Sequence, residues 1–232
     1  MDLLFTCILV VSLGFAATRL PGIAKKRNQA IAACGAALSF ALALMVSPIY
    51  NLFEDAFERT NFTDLFAKLA LFFAVNILGN QLARGLRNEQ AFARIGGFQG
   101  RLVFIFAFVL EMVLFAFTTT PEPSPGLELY QTEPVVIAYT GVAVGYIAYV
   151  CSCLIPPLTA QFRDNHSKLS RTAAGLLIAG FTLVIVRAIY DFAQGISLLS
   201  TLCVIAGLAI AWRSLRVHGE PLVRQSAFRD ED

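Results

Sequence analysis

The segment LVFIFAFVLEMVLFAFTTT, residues 102–120, decides the fold class of this chain. Glu111 is its single ionisable side chain and stands at its centre, nine residues from either end. A helix that crosses a bilayer needs ~20 predominantly apolar residues. Arg101 precedes the segment and a proline-rich stretch begins at Pro121, so a charge and a helix breaker bound it. The segment therefore predicts a transmembrane helix.

The same pattern recurs on both sides of this segment. The chain has 232 residues, of which 57% are hydrophobic and 15% are charged. A soluble domain carries roughly 25% charged residues. The sequence therefore predicts an all-α polytopic membrane protein, a bundle of seven transmembrane helices that fills residues 1–212. The six other apolar segments are 3–18, 30–50, 64–82, 135–155, 173–190 and 196–212.

The distribution of Lys and Arg predicts how this bundle is oriented. Lys and Arg accumulate in the cytoplasmic loops of membrane proteins. Fifteen of the 18 basic residues lie in alternate connections or after the last segment, whereas the other connections hold Arg59 alone. We therefore expect a multi-pass protein of the cell membrane, with the N-terminus outside and residues 213–232 as a basic cytoplasmic tail. The fifteen are Arg19, Lys25, Lys26, Arg27, Arg84, Arg87, Arg94, Arg101, Arg163, Lys168, Arg171, Arg213, Arg216, Arg224 and Arg229.

Ionisable residues inside the predicted spans are the first candidates for a functional site, because charges in a bilayer are costly. Glu111 lies ~13 Å from either end of its helix, too deep to reach water. Lys68 and Arg187 lie nearer the outer ends of the third and sixth segments, and Asp191 follows Arg187 at helical spacing. Both cations suit membrane-interface anchors or partners of Glu111. We expect Glu111 to be protonated or paired with one of them, in a polar pocket in the outer half of the bundle.

Amide side chains form a second candidate group, since Asn76 and Asn80 share one face of the third segment with Lys68. Such a face provides either hydrogen bonds between helices or part of a substrate path. In the fifth segment, Gly141 and Gly145 form a GxxxG pattern, which favours close packing of helices.

Several functions receive no support from the residues. His166 and His218 lie in predicted cytoplasmic segments, so no haem is expected. Cys151 and Cys153 are too closely spaced for a metal pair, and all five cysteines suit buried apolar positions. No catalytic motif is present, and the basic loops are explained by orientation without nucleic acid. The sequence thus predicts neither an enzyme nor a bound metal or cofactor.

Residues 48–82, with Asn61 ahead of 65–71, and the run Arg171-Thr-Ala-Ala-Gly175 resemble the seven-helix module of actinobacterial membrane proteins described as transporters. The resemblance covers roughly a third of the chain. In that family the module is joined to a C-terminal cytoplasmic domain. The segment after Trp212 is too short for such a domain, so a direct signalling output is not expected.

Two functional hypotheses follow. The first is a sensor or accessory module that recognises a lipid, a small ligand or a membrane partner. The second is a small transporter or channel that uses Lys68, Glu111 and Arg187 as a polar site at mid-membrane depth. A structural subunit of a larger membrane complex is a third alternative. The expected partners are membrane lipids, together with another membrane or cytoplasmic protein or a second copy of the chain.

Overall fold

The computed structural model describes residues 29–56, 61–164 and 167–190, with five isolated positions outside these ranges. Every regular element in these ranges is helical, as the sequence predicts. Asp191 and the predicted segments 3–18 and 196–212 lie outside the described ranges. The helices are α1 (Gln29–Ala43), α2 (Ser47–Ala56), α3 (Phe62–Gly85), α4 (Glu89–Gly96), α5 (Phe98–Ala116), α6 (Pro134–Asp164) and α7 (Lys168–Tyr190), with a 3-10 helix at Pro125–Tyr130.

Four stretches of helix are long and apolar enough to cross a membrane: Phe62–Gly85, Glu89–Ala116, Pro134–Asp164 and Lys168–Ile189. The bent pair of α1 and α2 makes a fifth if its two helices are taken as one span. These spans correspond to the second to sixth segments predicted from the sequence.

The second predicted segment, 30–50, is not one straight helix. α1 ends at Ala43, and α2 leaves it at an angle of 85°. Pro48 explains the break, because it has no N–H to donate to the carbonyl of Leu44 and therefore cannot continue α1. The chain instead restarts at Ser47, with the proline in the first turn of α2, where a missing N–H is tolerated.

The fourth span also begins earlier than the sequence predicts. The glycine-rich stretch 96–100 contains one extended residue, Gly97, between α4 and α5. The side chain of Asn88 accepts a hydrogen bond from Ala91 N at 2.7 Å and caps α4. A Cβ at Gly97 would lie 2.2 Å from the carbonyl oxygen of Ala93, so only glycine fits this junction.

α3 is the central helix of the described bundle and packs against α1, α4, α5 and α6, while α7 packs along α6. Its close approach to α6 depends on Gly79, where a Cβ would lie 2.6 Å from Val150 Cγ1. The larger core surrounds this contact and includes Phe72 and Leu154. A smaller core of Leu65, Leu127, Val136 and Tyr139 lies near the connection between α5 and α6.

The GxxxG pattern of α6 does not serve this packing. Gly141 and Gly145 are exposed, and no atom of the described ranges lies within 4 Å of the position that a Cβ would take at either glycine. The expectation that they bring helices of the chain together is therefore wrong for the described bundle, where Gly79 has that role.

Candidate functional site

Glu111 lies inside the bundle, close to the end that carries residues 117–133, which we call the loop end. It stands five residues before the end of α5, ~8 Å along the helix axis. This is nearer the loop end than the sequence predicts, because the helical span starts at Glu89. The residue is 0% exposed, and neither carboxyl oxygen has a hydrogen-bond partner within the described chain.

Among the described residues, the charges that influence the Glu111 carboxyl are those of Lys68 and Asp64, which both belong to α3. Lys68 forms its ion pair with Asp64, where Nζ lies 3.1 Å from Oδ2. Within the described ranges no direct ion pair joins Lys68 to Glu111. The charges of this ion pair therefore influence Glu111, but Asp64 is the anion that pairs with Lys68.

The ammonium group of Lys68 is enclosed by side chains of α6 as well. Its Nζ lies 3.5 Å from the ring centroid of Tyr139 and donates a hydrogen bond of 3.5 Å to Thr140 Oγ1. Only 9% of Lys68 is exposed. In this position Lys68 is the cation of a buried group of side chains.

Asp64 is the residue of this site that the sequence does not predict. The sequence places it at the boundary of the third segment, yet it is 0% exposed in the first turn of α3. A carboxylate is favourable there because the N-terminus of a helix carries partial positive charge. The signal that identifies it is its spacing from Lys68, four residues along one helix.

Arg187 lies in the last turn of α7, which packs along α6. Its grouping with Lys68 and Glu111 stays a prediction. The described burial and charges bring together Asp64, Lys68 and Glu111, which we call the buried charge cluster.

The two asparagines of α3 lie farther from the loop end and are engaged in hydrogen bonds. Asn76 Nδ2 donates to the hydroxyl of Tyr146 at 2.9 Å, which joins α3 to α6. Asn80 Nδ2 donates to Asn76 Oδ1 at 3.1 Å and to the carbonyl oxygen of Asn76 at 2.9 Å. Asn76 therefore makes a hydrogen bond between helices, whereas the described hydrogen bonds of Asn80 stay within α3. A part in a substrate path stays a prediction.

A second polar network closes the loop end, and Asn61 is its centre. Asn61 Oδ1 accepts hydrogen bonds from the hydroxyl of Tyr50 at 2.5 Å and from Ser124 N at 2.8 Å. Its Nδ2 donates to the carbonyl oxygens of Glu122 at 2.9 Å and Thr120 at 3.3 Å. One fully buried amide thus joins α2, the start of α3 and the connection between α5 and α6.

Glu54 completes the loop-end network from α2. Its Oε2 accepts a hydrogen bond from Asn61 N at 2.6 Å, and its Oε1 accepts one from Thr63 N at 2.7 Å. The first N–H groups of a helix have no partner within the helix, and a carboxylate there is favoured by the helix dipole. Glu54 therefore caps α3 one residue before Asp64, although the sequence suggests only an acidic residue in an outer connection.

Among the described residues, no group of three or more His, Cys, Asp and Glu side chains is arranged to hold a metal ion. Cys34, Cys151 and Cys153 are buried as free thiols. Along α3, the buried charge cluster thus lies between the loop-end network and the two asparagines.

Comparisons of the chain with protein-family models, with curated proteins and with solved structures found no match.

Proposed function

We propose that this protein is a small proton-coupled transporter of the cell membrane, and that the buried charge cluster is its proton site. In this proposal the bundle has seven spans, the N-terminus is outside, residues 213–232 are cytoplasmic, and the loop end faces outward. The protein moves a solute and performs no covalent chemistry.

The charge balance of the cluster carries this proposal. Asp64 and Glu111 are both 0% exposed, whereas Lys68 is the one cation of the cluster. Two ionised carboxylates and one ammonium would leave a net negative charge in a buried site, which is strongly unfavourable. One bound proton makes the cluster neutral. A carboxyl that must gain a proton at rest and can release it when its surroundings change is the element that proton coupling requires.

The closed surroundings of the cluster also support the proposal. On the loop end, Glu54 and Asn61 seal the entry to α3 with hydrogen bonds. On the other side, Asn76 and Tyr146 join α3 to α6. A transporter with alternating access needs a buried site between two ends that close in turn.

Proton movement in liposomes tests this proposal. The purified protein is reconstituted with a pH-sensitive dye inside, and the small-molecule fraction of a cell extract is added outside under an inward proton gradient. We expect faster internal acidification than in empty liposomes, and we expect it to depend on the extract. Glu111→Gln should abolish it, while Glu122→Gln, a change of an exposed side chain at the loop end, should leave it unchanged. Wild-type protein that behaves like empty liposomes would contradict the proposal.

A second candidate, a sensor or accessory module that acts through a membrane partner, is favoured by one observation. Gly141 and Gly145 are exposed on α6, with open space where side chains would stand. Small residues at this spacing allow the backbone of another helix to approach closely. A partner that copurifies with the protein and is lost on Gly141→Leu, in a protein that moves no protons, would favour this candidate over the transporter.

A further inference from the structure

The connection between α5 and α6, residues 117–133, is a compact unit that is closed by its own hydrogen bonds. Glu122 N donates to the hydroxyl of Tyr130 at 2.9 Å, which joins the two sides of the connection. Between them, Leu129 N donates to Ser124 Oγ at 3.1 Å. Surface loops whose ends are close and which pack on their own side chains are frequently functional. These internal bonds allow the connection to move as one body when its bonds to the helices break.

The hydrogen bonds that fasten this unit to the helices converge on Asn61. Its Oδ1 accepts from Ser124 N at 2.8 Å, and its Nδ2 donates to the carbonyl oxygens of Glu122 at 2.9 Å and Thr120 at 3.3 Å. The hydroxyl of Tyr50 adds a bond of 3.2 Å to the carbonyl oxygen of Ser124. A movement of the Asn61 side chain therefore releases the connection at several points at once.

Leu127 is the residue with which the connection fills the loop end of the bundle. Its side chain is 0% exposed and belongs to the smaller core with Leu65, Val136 and Tyr139. The ring centroid of Tyr139 lies 3.5 Å from Lys68 Nζ, so this core borders the buried charge cluster. When Leu127 leaves the core, the side of the cluster that faces the loop end loses part of its cover.

The backbone of Leu127 opposes the position that its side chain favours. Its φ is 54°, in the left-handed region that is unfavourable for residues with a Cβ. Residues in such conformations persist where the surrounding structure holds them, and they cluster at ligand clamps and switch regions. Burial of the leucine side chain thus favours the closed position, while the strain of its backbone favours release.

We infer that the connection 117–133 is the gate of the proton site at the loop end, with Leu127 as its plug and Asn61 as its latch. This inference rests on the proposed proton site, to which it adds the route of entry. Opening breaks the hydrogen bonds of Asn61 to the connection and withdraws Leu127 from the smaller core. Protons then reach the buried charge cluster from the loop end.

A reversible disulfide across the latch tests the gate. In protein whose five native cysteines are replaced, Asn61→Cys is combined with Ser124→Cys, two positions that a hydrogen bond already joins. The measurement is the infrared band of the protonated Glu111 carboxyl, followed in time after a rapid drop in pH and assigned by its loss in Glu111→Gln. We expect the band to rise roughly 10-fold more slowly in the oxidised protein than after reduction, because gate opening then limits loading.

The matched control combines the same Ser124→Cys with Leu129→Cys. These two positions are also joined by a hydrogen bond, but both belong to the connection, so their disulfide does not tie it to a helix. The band should rise at the same rate in the oxidised and the reduced control. A control that is slowed as much as the latched protein would overturn the movement of the connection as one body.

Leu127→Ala tests the plug without any disulfide. The shorter side chain fills less of the smaller core, so the closed position is less favoured and the band should rise several-fold faster than in the wild type. Leu129→Ala, at a position of the same connection that is 67% exposed, should keep the wild-type rate. Either test decides alone where the other protein fails to fold or to form its disulfide.

The outcomes separate the two proposals. Equal rates in the oxidised and reduced latched protein, or a wild-type rate in Leu127→Ala, would overturn the gate and leave the proton site intact. A wild-type protein without a Glu111 band would overturn the proton site itself.

Discussion

The Lys68 ammonium lies 3.1 Å from the Asp64 carboxylate, one helical turn away on α3. Because this pair forms within a single helix, it does not depend on how the neighbouring helices are placed. Glu111 of α5 is thereby left beside a cation that already has an anion, and its carboxyl oxygens have no partner in the described structure. The two acidic residues of the cluster are therefore not equivalent, and substitutions should distinguish them.

Glu111→Gln and Asp64→Asn should differ in how much they lower stability. An amide at 111 keeps the shape of a neutral carboxyl and leaves the ion pair of α3 intact, so we expect a change below about 1 kcal/mol. An amide at 64 leaves Lys68 without its close anion, and breaking a buried pair costs about 3–5 kcal/mol. Unfolding of both variants in the same detergent measures the difference. A larger loss for Glu111→Gln than for Asp64→Asn would refute this assignment of roles.

Asn61 should be the most sensitive side chain of the loop end. Asn61→Ala removes four hydrogen bonds and leaves their partners unsatisfied, which should cost about 2–4 kcal/mol. Its φ of 56° adds a penalty for alanine, because the left-handed region is unfavourable for most L residues. Asn61→Gly loses the same bonds without that penalty, so it should be the milder of the two variants. Cleavage of the 117–133 connection by an added protease should increase in both, and equal stability of Asn61→Ala and the wild type would rule out this role.

The three glycines Gly79, Gly141 and Gly145 should respond differently to leucine. At Gly79 even a Cβ would lie 2.6 Å from Val150 Cγ1, so Gly79→Leu should prevent proper folding. Gly141→Leu and Gly145→Leu place side chains in open space and should keep the unfolding temperature of the wild type. Size-exclusion chromatography in detergent, with unfolding curves for each variant, checks both statements. A Gly141→Leu protein as damaged as Gly79→Leu would show that this side of α6 is covered.

The proposed orientation predicts from which side of the cell membrane a reagent can label each exposed position. With the five native cysteines replaced, Glu122→Cys should react with an impermeant maleimide added to intact cells. Gln90→Cys, at an exposed position of α4, should react only after the cells are opened. Reaction of Gln90→Cys in intact cells would reverse the proposed orientation.

Apolar segments between basic residues and helix breakers are sufficient to predict the described spans, but not the bend in the first of them. The sequence shows Pro48, which causes that bend, but it does not predict where the bend places Glu54. Glu54 follows the break by six residues and belongs on the sequence to an outer connection. The 85° angle returns it to the N-terminus of α3, where Asn61 N and Thr63 N donate to it.

Which residues form the buried charge cluster depends on which helices are neighbours, and the sequence alone does not predict this. Asp64 and Lys68 are related by helical spacing alone, so this pair was within reach of the sequence. The grouping of Arg187 with Glu111 stays a prediction, because it depends on whether the fourth and sixth segments adjoin. In the structure α6 packs against both α5 and α7. The residue pattern within a single segment cannot predict which helices are neighbours.

The hydrogen bonds of Asn61 tie distant parts of the chain into one cooperative unit. Tyr50 and Ser124 are 74 residues apart, yet both donate to the same amide oxygen of Asn61, and the hydroxyl of Tyr50 also donates to the carbonyl oxygen of Ser124 at 3.2 Å. Residues that share a partner do not contribute independently to stability. The losses of unfolding free energy on substituting Tyr50, Asn61 and Ser124 will therefore not be additive, because the first substitution already breaks most of the hydrogen bonds that the other two residues make. The amide proton of Ser124, although it belongs to a connection between helices, should exchange with solvent as slowly as that of Thr63 at the start of α3, because the same opening exposes both.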